Sequence, residues 1–153
     1  MSISTLKQVT DILNQKGFEV KEMDKAVAIA VGDTEHPYVG VITNDDEGSF
    51  IIDCQVASKG DILDDNWANF CSLALDLNSR IAPYSLCILT DTDGEESEEN
   101  EWPILLRNKV TIGDLCDQEL EAAIDHLLSA IQQSVDVLKV GLGVIQVEET
   151  VTV

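Results

Sequence analysis

Three short segments decide the fold class of this chain: residues 26–31 (AVAIAV), 38–43 (YVGVIT) and 49–56 (SFIIDCQV). Each is rich in β-branched residues and bounded by turn formers, residues 32–37 on one side and residues 44–48 (NDDEG) on the other. Neither connection is long enough to hold a crossover helix, so the segments pair as an antiparallel meander. Strand alternation places Asp53 and Cys54 on opposite faces of the sheet, which argues against reading them as a nucleophile with its base.

Working outward, Ile3, Leu6, Val9, Ile12 and Leu13 recur at helical spacing behind candidate caps at Ser2 or Ser4, and Gly17 supplies a stop. Phe18 and Val20 then lead into residues 26–31 as one strand interrupted near Asp24 and Lys25. After the meander, Asp61 is the expected N-cap of the most strongly patterned helix of the chain. Leu63, Trp67, Phe70, Ala74, Leu77 and Ile81 fall at alternating steps of four and three, while Cys71, Leu73 and Leu75 widen the apolar stripe to a second flank. Pro83 closes this helix, residues 84–89 form a fourth strand, and residues 102–106 (WPILL) a fifth, with Pro103 at an edge or strand start. A last helix begins between Asp114 and Asp117 and runs to about Lys139, burying Leu120, Ile124, Leu127, Leu128, Ile131, Val135 and Leu138. Its acidic start and Lys139 suit the helix dipole.

The order α-β-β-β-α-β-β-α describes an α+β protein with a mainly antiparallel five-stranded sheet and three helices. Residues 1–139 form a single domain, and residues 140–153 an apolar, β-prone tail suited to adding an edge strand, pairing with another subunit, or staying unpaired.

Composition narrows function. The 153 residues carry 29 acidic and 9 basic side chains, a net charge of −20, and such a field repels phosphate backbones and anionic membranes. Nucleic acid and membrane are therefore excluded as partners. The first residues, MSISTLKQVTDILNQKG, are amphipathic rather than continuously apolar, and no segment approaches the ~20 apolar residues of a membrane span. Cys54, Cys71, Cys87 and Cys116 are dispersed through apolar segments without a CxxC pair, and His36 and His126 stand at no ligand-like spacing from them. No zinc site, and a reduced cytoplasmic protein, are the expectations.

Residues 91–101 (DTDGEESEENE) hold seven carboxylates. Gly94 stands at the fourth position of any calcium loop starting at Asp91, where an EF-hand needs glycine at the sixth, so a solvated loop is favoured over a cation site. Arg107 and Lys109 form a close basic pair whose simplest role is to compensate neighbouring acids. His126 borders the apolar stripe of the last helix as a partly exposed structural residue, and His36 sits in a turn. Gly141 to Gly143 follow a helix, the wrong context for a phosphate loop. No catalytic residues, metal or cofactor are expected.

The helix of residues 67–81 (WANFCSLALDLNSRI) after the meander, and WPILLRNKVTIGDL running into a long final helix, resemble the type III secretion chaperone-like fold and its YbjN-like bacterial relatives. The resemblance implies a homodimer built through the middle helix and an adjacent strand, with apolar surface that binds an extended segment of a client protein. The function expected is a non-catalytic protein-binding module, chaperone-like or adaptor. Leu63, Trp67, Phe70, Leu73 and Leu77 are the candidate partner or dimer interface, weighed against ordinary core contacts for Trp67 and Phe70. The alternative is an acidic nucleic-acid mimic that binds a basic protein, and a small enzyme or cation sensor is a third class.

Overall fold

A computed structural model describes residues 2–32, 35, 37–90 and 98–143. The cation-loop expectation for residues 91–97, the placement of His36, and the fate of the tail beyond residue 143 lie outside them. The order is α1 (Leu6–Gln15), β1 (Val20–Met23), β2 (Ala26–Val31), β3 (Tyr38–Asn44), β4 (Ser49–Ser58), α2 (Trp67–Asn78), β5 (Ser85–Ile88), β6 (Pro103–Thr111) and α3 (Asp117–Gly141).

The sheet has six strands rather than five, fully antiparallel, in the order β1-β2-β3-β4-β6-β5. The extra strand comes from the break at Asp24 and Lys25. Met23 pairs with Ala26 across a two-residue turn in which Lys25 takes φ +65°, so one interrupted strand becomes a hairpin. Such turns are usually marked by Asn-Gly or Asp-Gly; here a lysine adopts the left-handed conformation, and the sequence signal is absent.

All three helices bury against one face of this sheet. Val9 and Leu13 of α1, Phe70 and Leu77 of α2, and Leu120, Ile124, Leu127 and Ile131 of α3 share one core with Val27, Ile29, Ile42, Ile52, Cys54 and Leu106. Gly40 lets α3 approach: a Cβ there would stand 3.0 Å from the Ile29 side chain and 3.2 Å from Leu127. The register row Val41, Asp53, Arg107 and Ser85 faces the other way. On that open face Arg107 grips Asp53 through two bonds of 2.7 and 2.8 Å, and Lys109 reaches Asp45 at 3.2 Å. The basic pair thus compensates acids, as expected, but they come from β4 and its hairpin. Backbone N–H groups of Glu47 and Ser49 donate to Asp45. The Glu47 bond chiefly, with Lys109 adding to it, holds this carboxyl below its usual range.

Local chemistry moves several boundaries. Thr5, not Ser2 or Ser4, caps α1, in a reciprocal box with Gln8. Gly17 at φ +93° follows the helix, as its stop signal indicates. Asp61 does not cap α2; its carboxylate accepts the Ser58 N–H at 2.9 Å, and two single 3₁₀ turns, Lys59–Asp61 and Asp64–Asn66, precede the helix. Leu63 and Ile81 therefore lie outside α2. Because apolar residues run nearly round α2, it is less amphipathic than α1. Pro103 occupies the first position of β6, an interior strand, where its missing N–H costs no ladder bond. The last helix starts at Asp117 and ends at Gly141, two residues past Lys139.

Tyr84 ties the layers together: it is buried, and its hydroxyl donates to the Ala123 carbonyl of α3 at 2.8 Å. Burial pushes its ionisation well above the ordinary phenol value. Tyr84→Phe is expected to cost about 1 kcal/mol and to lower the thermal midpoint by about 2–4 °C, readable by calorimetry.

Candidate protein-binding groove

The two edges of the sheet differ in chemistry. β1, at one edge, reads VKEM and is largely exposed, and its Lys21 and Glu22 oppose pairing with another chain. β5, at the other, reads SLCI and carries no charge. Such an edge is a template for association unless something blocks it.

Asn78, the last residue of α2, blocks part of it. Its side-chain amide accepts the Leu86 N–H at 2.7 Å and donates to the Leu86 carbonyl at 3.2 Å, taking the place of a neighbouring strand. Antiparallel ladders alternate, so Ile88, two residues on, turns its main-chain groups outward as well. Leu89 donates inward to Pro103 at 3.0 Å, in keeping with this alternation.

Beside this edge, α2 and β5 enclose a groove of about 290 Å³ lined by Phe70, Cys71, Ala74, Leu75, Asn78, Leu86, Cys87, Ile88 and Ile104. No charged residue lines it. Phe70 and Leu86 are buried at its base, and Leu75 stands at its rim with 74 % of its surface exposed. This is the largest exposure among the large apolar residues of the described chain. A wider hollow of about 700 Å³ on the open sheet face, bordered by Val39, Val41, Asp53 and Leu105, mixes polar with apolar groups.

The five candidate interface residues separate. Phe70 and Leu77 are core, 2 % and 0 % exposed, and Leu73 is half-buried. Leu63 is half exposed beside the end of α3, where its N–H donates to the Gly141 carbonyl at 3.0 Å. Trp67 is half-buried; its ring stacks on Phe70 at 5.8 Å, and the Lys59 ammonium sits 4.9 Å above it and 5.6 Å from Trp102. Lys59 also pairs with Glu99, and Gly60 lies against the Asn100 backbone, so the end of the acidic loop is clasped to this corner. Only Phe70 of the five lines the groove. Sequence reading puts Leu75 on the second apolar flank but not among the interface candidates, and Ile88 simply in a strand, because what covers a flank or an edge shows only once its neighbours are known.

The two cysteines that line the groove are not activated. Burial raises the thiols of Cys71 and Cys87, with Lys59 and Arg107 respectively pulling the other way. Cys54 is pushed up to about 11 by burial and the Asp53 charge. Nucleophilic cysteines need the opposite shift. Alkylation of Cys54 is expected to follow global unfolding, so labelling rates in a urea series should reproduce the unfolding curve. No cluster of three or more potential metal ligands occurs among the described residues, and no described helix is long and apolar enough to cross a membrane. His126 is exposed on α3.

The fold is the YbjN-like, type III chaperone-like one. It superposes on the crystal structure of YbjN from E. coli, described there as a candidate transcription regulator, with a TM-score of 0.64 and 7 % identity over 97 % of this chain and all of that one. An uncharacterised protein from Methanothermobacter thermautotrophicus matches with a TM-score of 0.58 and 12 % identity, covering 87 % of this chain and 95 % of its own. A chain of the ExsC–ExsE complex matches at 0.57 and 11 %, over 89 % of this chain and 97 % of that one. No family model and no curated protein matches by sequence. At these identities the likeness defines the fold alone.

Proposed function

We propose that this chain is a non-catalytic protein-binding module, a homodimer through α2 and the β5 edge, that shields an apolar segment of a client protein in the cytoplasm. The observation that carries the reading is the uncharged groove between α2 and β5, rimmed by exposed Leu75 beside an edge strand without protective charge. An ordinary monomer hides such a surface, because exposed apolar edges aggregate. The ExsC–ExsE structure supports the reading, since there a chain of the same fold is in complex with a protein. The net charge of −20 keeps a module with apolar surface soluble.

Sedimentation velocity over a concentration series tests this. A monomer–dimer equilibrium in the micromolar range that persists in about 1 M NaCl is expected, because apolar association is not screened as surface charge pairs are. A monomer at every concentration, binding only a basic partner and releasing it in salt, would replace this reading by the acidic nucleic-acid mimic.

A further inference from the structure

We propose that the client is held on the open face of the sheet, where β3 and β4 part, and that the segment bound there is extended, apolar and basic. The inference rests on the client-binding half of the function proposed above, and gives the client a place and a chemistry.

The parting is set by strand register. β3 pairs with β4 only as far as Gly40 and Cys54. Beyond that point Tyr38 and Val39 stay with Val31 and Ala30 of β2, whereas Gln55, Ala57 and Ser58 follow Leu105, Ile104 and Pro103 of β6. The divergence coincides with a bulge that leaves Val56 as an extra residue in β4, and bulges bend a strand and increase its twist. Two stretches of strand are thus each paired on one side only, and both line the hollow of about 700 Å³.

The parted strand is held in place by its own side chains. The Gln55 amide donates to the Ala57 carbonyl and the Ser58 hydroxyl, both at 3.2 Å, and Asp61 accepts the Ser58 N–H. What the hollow offers a partner is therefore mainly side chains. Val39, at 53 %, is the most exposed large apolar residue on any described strand, and Leu105 lies buried beneath the same face. Val39 and Val41 project from alternate positions of β3, a repeat that the alternate side chains of an extended segment match.

Charge selects the occupant. No lysine or arginine lines the hollow, and its two carboxylates differ. Asp53 is gripped by Arg107. Asp61 is exposed and pairs with no described cation, because Lys59 turns instead to Glu99 and the two tryptophan rings. A basic segment entering here meets an uncompensated carboxylate in a chain of net charge −20, whereas an acidic one is repelled both locally and at long range. In the sheet order β6 separates β4 from β5, a distance of about 10 Å between the outer two, so a second copy at the α2–β5 edge leaves this face open.

The test uses the full chain with isotope-labelled valine and leucine methyl groups. The probes are two short peptides of alternating valine and threonine, one ending in lysine at both ends and the other in glutamate. The lysine peptide is expected to shift the Val39, Val41 and Leu105 methyl resonances and to bind about fivefold or more tightly than the glutamate peptide. Val39→Lys should reverse that preference. Asp61→Asn, which keeps an acceptor for Ser58, should narrow it by about two- to fivefold, and it carries the charge test alone if the Val39 variant disturbs the sheet. Shifts centred on Leu75 and Leu86 would overturn the proposal by moving the client to the α2–β5 groove, and would leave the protein-binding reading standing. Equal affinities for the two peptides, shifts scattered over the acidic surface, or no shift at all would overturn it outright, while sedimentation reports separately on the dimer.

Discussion

A Leu75→Asp chain is expected to stay monomeric at concentrations where the proposed dimer of the parent chain forms, with the melting temperature that the parent shows as a monomer in dilute solution. The two halves of that expectation have one cause. Leu75 is 74 % exposed on the rim of the groove, so the protomer has little invested in it. Surface substitutions of this kind change stability by about 0.5 kcal/mol or less. In a two-fold dimer the same residue is used twice. Losing about 1.5–3 kcal/mol of leucine burial at each copy weakens association by about 3–6 kcal/mol. That is a rise of roughly 10²–10⁴-fold in the dissociation constant, before the cost of placing two carboxylates in an uncharged groove. Sedimentation and calorimetry on the same preparation read both halves. An unchanged dimer would remove α2 from the proposed interface, and a melting temperature below that of the dilute, monomeric parent would make Leu75 part of the protomer core.

Phe70→Ala should do the reverse, destabilising the protomer by about 3–5 kcal/mol, the range for deleting a buried aromatic side chain. Phe70 is buried between three elements: the Gly141 backbone of α3 approaches its ring, Trp67 stacks on it at 5.8 Å, and Ile104 and Leu86 complete the base of the groove. Removing the ring unpacks the α2–α3 contact as well as the groove floor. Urea unfolding would show a lower midpoint with an unchanged slope if the folded and unfolded states keep their compactness. A loss below about 1 kcal/mol would mean that the site collapses to fill the space. Taken together, the two substitutions separate what holds this protomer together from what it offers to a partner.

Most of the fold was legible because its signals are local. The meander was visible in three β-branched segments with short connections, and α3 in the spacing of Leu120, Ile124, Leu127 and Ile131. The sixth strand was not, because VKEM neither alternates cleanly nor ends in a recognised turn pair, and Lys25 adopts a conformation that its side chain does not announce. Cap assignments failed where a competing partner was nearer, as for Asp61, which turns back to Ser58. The candidate site was half legible. Composition marked α2 as apolar on two flanks, which pointed to a surface beyond the sheet. The spacing put Phe70 and Leu77 on the seam and Leu75 on its second flank, but it did not say which of them would face a partner, and only the positions of α3 and β5 make the first two core and the third rim.

Charge and hydrophobic period are carried by the residues themselves. For that reason, the acidic surface, the antiparallel sheet, the three helices and the absence of any nucleophile motif follow from the sequence alone. Which strand lies at the edge is a different kind of fact. β6 inserts between β4 and β5, and this insertion leaves SLCI at the rim beside α2 instead of buried between neighbours. Likewise, Asn78 becomes an edge plug only because the turn after α2 brings Leu86 back to it, eight residues later. Edges and grooves are made by pairings between distant segments, whose register depends on the whole sheet, and so only the tertiary structure decided where this protein presents its apolar surface.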